Sequence, residues 1–282
     1  MGEQPWQRAM PLQPTSINIV SPVLVADVVK TQHDVFGKGE QFHALFHDLI
    51  GSGFSAQDGP AWFHQRKTAS KFFTTRMQLT TRMFRDVATA MVLKHTQVLL
   101  RVLDDAHATH GTVDLTRLFH EFTLQTFAEL GFGLDMQLIG NPHGHPLDAA
   151  LDDALPQIMR RVQMPTWLWK LQRFLNVGHE RKYADTTRFI RTLVVDLVQT
   201  SLTQMQDKTQ PKREAATIVE LFIHAMQNDE GGSGEDRITP DVLCDVAIMF
   251  VLGGRDTTAD TLNWLLLLLG KNPHVEQKLV TV

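Results

Sequence analysis

A long apolar run from Val242 to Leu269 is broken near its middle by Gly253-Gly254-Arg255-Asp256-Thr257-Thr258. Around the break the pattern is that of one buried helix. Thr239 offers an N-cap hydroxyl, Pro240 suits the first helical position, and Gly270 with Pro273 supplies a stop. Such a helix holds about 31 residues and runs roughly 46 Å at 1.5 Å per residue. Other segments show the same period. Phe84, Val87, Met91, His95, Val98 and Val102 share one helical face, and Leu115, Leu118, Phe119, Phe122, Phe127 and Leu130 mark the next helix. Ile190, Leu193, Val194, Leu197 and Val198 mark another, whereas Ile17 to Val20 reads as a short strand followed by a helix over Val23 to Lys30. Polar linkers fall at Gln206–Glu214 and Asn228–Asp236, the second with a Gly-Gly-Ser-Gly core. Neither divides the chain, because the helices on both sides need each other's apolar faces. The pattern predicts a mainly α fold with a small N-terminal β portion, as a single domain over residues 1–282.

The break carries the chemistry. Two glycines inside a helix cost about 1 kcal/mol each relative to alanine, and an acid with two hydroxyls needs partners once buried. A sequence that keeps them in its most buried helix is using them, unless the helix is simply weakened there and kinked by threonine back-bonding. Trp62-Phe63-His64-Gln65-Arg66 is a second candidate. Residues four apart share a helix face, so the Trp62 indole N–H and the forked Arg66 guanidinium point the same way, a donor set suited to a carboxylate. Its plain alternative is a core tryptophan beside a solvated arginine.

Composition narrows the classes. With 43% hydrophobic and 21% charged residues in 282, the chain is an ordinary globular protein. A net charge of −4 argues against a nucleic-acid partner. Its one cysteine, Cys244, rules out an intrachain disulfide and reads as a small buried hydrophobe. Arg255, Asp256 and Asp260 mark the long helix as core rather than membrane-spanning. His43 and His47 are four apart with no third ligand near them in sequence and read as structural or solvated, and His143-Gly144-His145, a loop between prolines, is a minor metal candidate; no metal ligand is assigned. No Gly-Lys-Ser/Thr follows Gly254, which excludes a phosphate loop.

Gly253-Gly254-x-Asp256-Thr257-Thr258 resembles the oxygen-activation signature of the cytochrome P-450 (haem-thiolate monooxygenase) family, and Trp62-x-x-x-Arg66 resembles the motif on the helix that crosses one edge of the haem. Phe36-Gly37-Lys38-Gly39 and the stretch from His47 through Lys67 are similar to the fatty-acid hydroxylase branch, and Val113 to Met136 resembles the core helices that follow. The resemblance implies haem as cofactor, held through a propionate by Trp62 and Arg66 and approached closely at Gly253 and Gly254. Thr257 is then the hydrogen-bonding group at the oxygen site, and Asp256 relays protons from solvent. It also implies O2 and a flavoprotein reductase as partners, and a fatty acid or related lipid hydroxylated at or near its chain end. Trp167, Trp169 and Phe174 fall where the family places its substrate-access helices. Arg255 points about 100° away from Asp256 on the helix and is given no role.

The family's F-x-x-G-x-R-x-C-x-G segment and its E-x-x-R pair are not found, and Cys244 precedes the oxygen motif on the same helix. The expectation is therefore a fragment without its axial cysteine, inactive when isolated. A truncated product that binds lipid or haem without turnover, or an all-α protein for hydrophobic ligands, are the alternatives. Family members are usually anchored in the endoplasmic-reticulum membrane. Residues 1–15 are polar, are interrupted by Pro5, Pro11 and Pro14, and show neither anchor nor signal peptide, which suggests truncation there too and leaves localisation open.

Overall fold

The structure, a computed structural model, describes residues 4–9, 15–70, 78–206, 217, 219, 220, 222, 223 and 239–281. Nearly all of both expected linkers lies outside these, as does the Phe84 side chain.

Helices dominate. After the strands β1 (Trp6–Arg8) and β2 (Ser16–Asn18) come α1 (Pro22–Ala26), α2 (Gly39–Ile50), α3 (Gly59–Ser70), α4 (Gln78–Ala108) and α5 (Leu115–Phe132). They are followed by α6 (Pro146–Gln163), α7 (Thr166–Leu175), α8 (Gly178–Gln206), the long α9 (Pro240–Lys271) and α10 (Pro273–Val280). The strands pair antiparallel, with Gln7 opposite Ile17. β1 carries no apolar alternation and only pairing reveals it. The helix expected to continue through Lys30 instead widens after Ala26 into a π-helical turn, Asp27–Thr31.

The long helix begins as its sequence requires, with Thr239 Oγ1 accepting from Val242 N at 3.3 Å and Pro240 in the first turn. Asn272 closes it, two residues beyond Gly270. α5 is framed likewise: Asp114 accepts from Arg117 N at 3.2 Å, and Gly133, at φ 71°, supplies the left-handed stop.

α9 packs most extensively on α5 and also crosses α8 and α2, while α6 lies on α8 and α4 on α5. The main core gathers Leu49, Leu124, Ile158, Ile190, Ile248 and Val251 from five of these helices. A smaller cluster of Leu99, Leu118, Phe119 and Ala259 joins α4, α5 and α9. His95, expected on an apolar face, is fully buried and bonded to Glu129 at 2.7 Å and Gln125 at 3.0 Å, so α4 is pinned to α5 by polar groups. Among the described residues no helix is long and apolar enough to cross a membrane.

Candidate functional site

Successive residues of a helix turn by about 100°, so the six motif residues cannot all face one way. α9 sorts them. A Cβ added to Gly254 would fall 2.2 Å from the Phe127 ring, so only glycine lets α9 lie this close to α5. A Cβ on Gly253 would meet nothing within 4 Å. Gly253, Thr257 and Thr258 are exposed, and Thr257 Oγ1 donates to Gly253 O at 2.6 Å. The break therefore has a face locked into α5 and an open face carrying Gly253 and Thr257. Its threonine does back-bond as the plain reading anticipated, and the open face is there as well.

Arg255 corrects the sequence reading. It is 1% exposed, a fully buried guanidinium. Its Nε donates to Asp148 at 2.8 Å, and its terminal nitrogens reach Asp152 and Asp256, each at 2.6 Å. Thr123 donates to its carbonyl oxygen at 3.0 Å. Burial alone would lower the Arg255 pKa, but Asp148, Asp152 and Asp256 reverse this and raise it. The 100° turn away from Asp256 was the wrong guide, because a guanidinium on a long stem reaches its neighbour's carboxylate while also pairing across to α6.

Asp256 is the acid of the motif. Burial raises its carboxyl above the ordinary 3.8, against the opposing pull of Arg255 and of His120, whose Nε2 lies 3.8 Å from Oδ1. The sequence reading missed α6, which carries Asp148 and Asp152, because its acids and the internal Pro156 interrupt the pattern. The signal existed: Leu147, Ala150, Leu151, Ala154 and Ile158 recur at helical spacing and are buried. His145 caps this helix, accepting from Leu147 N at 3.1 Å, so that histidine is spoken for structurally.

Trp62 and Arg66 share one side of α3, as their spacing requires. Trp62 is half-buried, with the His33 ring 5.3 Å away and Lys38 Nζ 5.8 Å from its centroid. Arg66 is exposed, its guanidinium 5.9 Å from the Phe54 ring. Among the described residues no carboxylate pairs with it. Phe54 in turn meets Phe250 at 6.3 Å, one turn before Gly254. The loop between α2 and α3 is fastened here, with Ser52 N donating to Asp245 at 2.7 Å and Gly53 pressed on Met249, so Arg66 is brought to α9 through two aromatics packed edge to face.

Cys244 is half-buried on α9, and burial raises its thiol pKa. That is the reverse of what a thiolate ligand needs. Of the aromatics expected in access helices, Trp169 is buried beneath Arg161, 4.7 Å from its ring, while Trp167 and Phe174 stand out at 52% and 85% exposure. His43 and His47 share α2, and among the described residues no three His, Cys, Asp or Glu side chains are grouped to hold a metal ion.

Comparison with known proteins gives the family and the fold. The family model described as Cytochrome P450 matches residues 5–281. Cytochrome P450 94A2 of Vicia sativa is 28% identical over 92% of the chain and 48% of its own length. Cytochrome P450 86B1 of Arabidopsis thaliana is 29% identical over 92% and 44% respectively. The crystal structure of cytochrome P450DA heme domain superposes with a TM-score of 0.72 at 19% identity, covering 97% of this chain and 54% of that one. The chain thus spans about half the length of the curated relatives it matches.

Proposed function

The chain belongs to the cytochrome P450 family, and on that premise we propose that it contributes the oxygen-handling helix of a haem-dependent monooxygenase acting on a fatty acid or related lipid, at or near the chain end. The observation that carries the reading is the open face of α9 at Gly253, with Thr257 one turn on, beside a helix packed so closely on α5 that Gly254 tolerates no Cβ. A flat cofactor needs such a face. Haem, when bound, supplies the oxygen chemistry itself.

The chain's own residues do the rest. Arg66 and the Trp62 indole offer donors to a carboxylate such as a propionate, from a site already tied to α9 through Phe54. Thr257 Oγ1 has committed its proton to Gly253 O and keeps acceptor capacity on the open side. Asp256, whose carboxyl pKa is raised by burial, lies with its Oδ1 3.8 Å from His120 Nε2 and is the group that relays protons from solvent in this reading. Arg255, itself anchored by Asp148 and Asp152, holds that carboxylate in place. Cys244 is not the thiolate in this reading. The electron donor is a flavoprotein reductase. The substrate class rests on likeness to the fatty-acid hydroxylase branch over Phe36–Gly39 and the segment from His47 through Lys67, and the reductase on likeness to the family.

A haem titration followed by Soret absorbance tests the site. Saturable one-to-one binding, abolished by Gly253→Leu and weakened by Arg66→Ala, is expected. Indifference of binding to both substitutions would overturn it. In a full-length, haem-loaded protein, Thr257→Ala should divert oxygen reduction to peroxide while haem content stays constant, and unchanged coupling would remove Thr257 from the mechanism.

A further inference from the structure

α3 carries Trp62 and Arg66 but is weakly held by other helices. Its buried residues are Gln65, Thr68 and Ala69, two of them polar, and among the described residues it packs extensively on no other helix. Burial of apolar surface, the usual force between helices, contributes little to where it stands. What fixes its place is the loop that precedes it.

That loop is laid along α9. Asp245, Met249, Gly253 and Thr257 follow one another at four-residue steps along one side of the helix. The first two are buried and the last two are exposed. The change comes where the cover of the loop ends: Ser52 N donates to Asp245 Oδ2, and Gly53 presses on Met249, one step short of Gly253. Gly51, at φ 51°, lies so close that a Cβ there would land on the Asp245 carboxylate. From the loop the contacts pass into α3, because Gln65 Nε2 donates to Ser52 O at 2.9 Å. Ser52 is thus gripped at both of its main-chain groups, the N–H by α9 and the carbonyl by α3.

Stability alone does not explain either side chain. Gln65 is buried, and its Oε1 meets no donor among the described residues, so the amide is there for its N–H. A leucine would fill the same space without the unpaired oxygen. Asp245 is buried among apolar neighbours on α9, with Arg191 2.7 Å from its Oδ1. A buried ion pair adds little net stability over apolar packing, and what these two groups add is a fixed geometry. We propose that Asp245 is a positioning residue which, with Gln65 and through Ser52, sets the distance of α3, and so of Trp62 and Arg66, from the open face of α9. That the gap receives a haem rests on the reading above, whereas the clasp itself does not.

The test measures that distance by electron–electron double resonance in the full chain. Spin labels go on Phe63→Cys of α3 and Asp260→Cys of α9, both exposed positions, with Cys244→Ser removing the native thiol. One narrow distance distribution is expected. Asp245→Ala and Gln65→Leu should each broaden it. Asp245→Asn, whose amide oxygen still accepts from Ser52 N, should keep it narrow although the charge facing Arg191 is lost. Gln65→Leu, which removes no charge, carries the test if Asp245→Ala fails to fold. Distributions superimposable on the parent's in the folded variants would overturn the proposal.

Haem titration of the unlabelled proteins separates the two readings. Asp245→Ala should weaken binding about tenfold, and Arg66→Ala added to it should cost at most about twofold more, because a donor already displaced has little left to lose. Losses that multiply as for independent sites would overturn the positioning role. A parent that binds no haem, with distances that still respond to Asp245 and Gln65, keeps the clasp and removes the cofactor reading.

Discussion

The two ends of α9 invert what their sequences suggest. From Leu243 to Ala259 the helix is largely buried although it contains Asp245, Arg255 and Asp256, whereas Trp264 to Leu268, without a charge, stands 40–63% exposed. Burial follows partners rather than hydropathy. The charged stretch lies against α5, α6, α8 and the loop after α2, each of which supplies a counter-ion or a shape, while the apolar stretch meets no such wall among the described residues. An exposed apolar row on this scale marks a surface made to be covered.

The comparison is most easily broken at Arg255. Replacing it with alanine leaves Asp148, Asp152 and Asp256 facing one another without their cation, and should cost about 3 kcal/mol, read as a fall in the urea midpoint. A change below 0.5 kcal/mol would show that the triad is solvated rather than structural. Gly254→Val comes next. It drives a branched side chain into the Phe127 ring and should cost about 1–3 kcal/mol, with Gly253→Ala as the control that costs only a few tenths. Equal effects at the two glycines would refute the locked and open faces.

On the exposed end, Leu266→Ser should change monomer stability by less than about 0.5 kcal/mol and reduce self-association in sedimentation experiments, an outcome opposite to that of any core leucine. The smallest effect is in pH. Asp256 has a raised folded pKa, so its ionised form is disfavoured by folding and its contribution to stability falls as pH rises from 3.8 through the folded value. Asp256→Asn lacks that term. Its stability relative to the parent should climb across this window and be flat at neutral pH. A difference independent of pH would place the Asp256 carboxyl in a water-like environment.

Much of this was legible in the residues. Thr239 and Pro240 marked where α9 starts, and the Trp62–Arg66 spacing put both groups on one side of α3. The open glycine and the packed glycine could not be told apart, since both lack a side chain and only Phe127 distinguishes them. Arg255 was misjudged because helical phase describes where a side chain leaves the backbone and not where a long one ends. α6 was overlooked because Asp148 and Asp152 break its apolar pattern for a reason visible only when their cation arrives from a hundred residues away. β1 has no pattern of its own and exists through β2.

The start of α9, the helical runs of α5 and α8, and the family to which the chain belongs were legible in the sequence alone, because periodicity, capping and motif spacing act over a few residues. The tertiary structure alone decided which face of the Gly-Gly break stays open, how the Arg255 charge is balanced, and that the most apolar end of α9 is the exposed one. Those outcomes depend on which distant side chains share a few ångströms of space, and no local pattern carries that information.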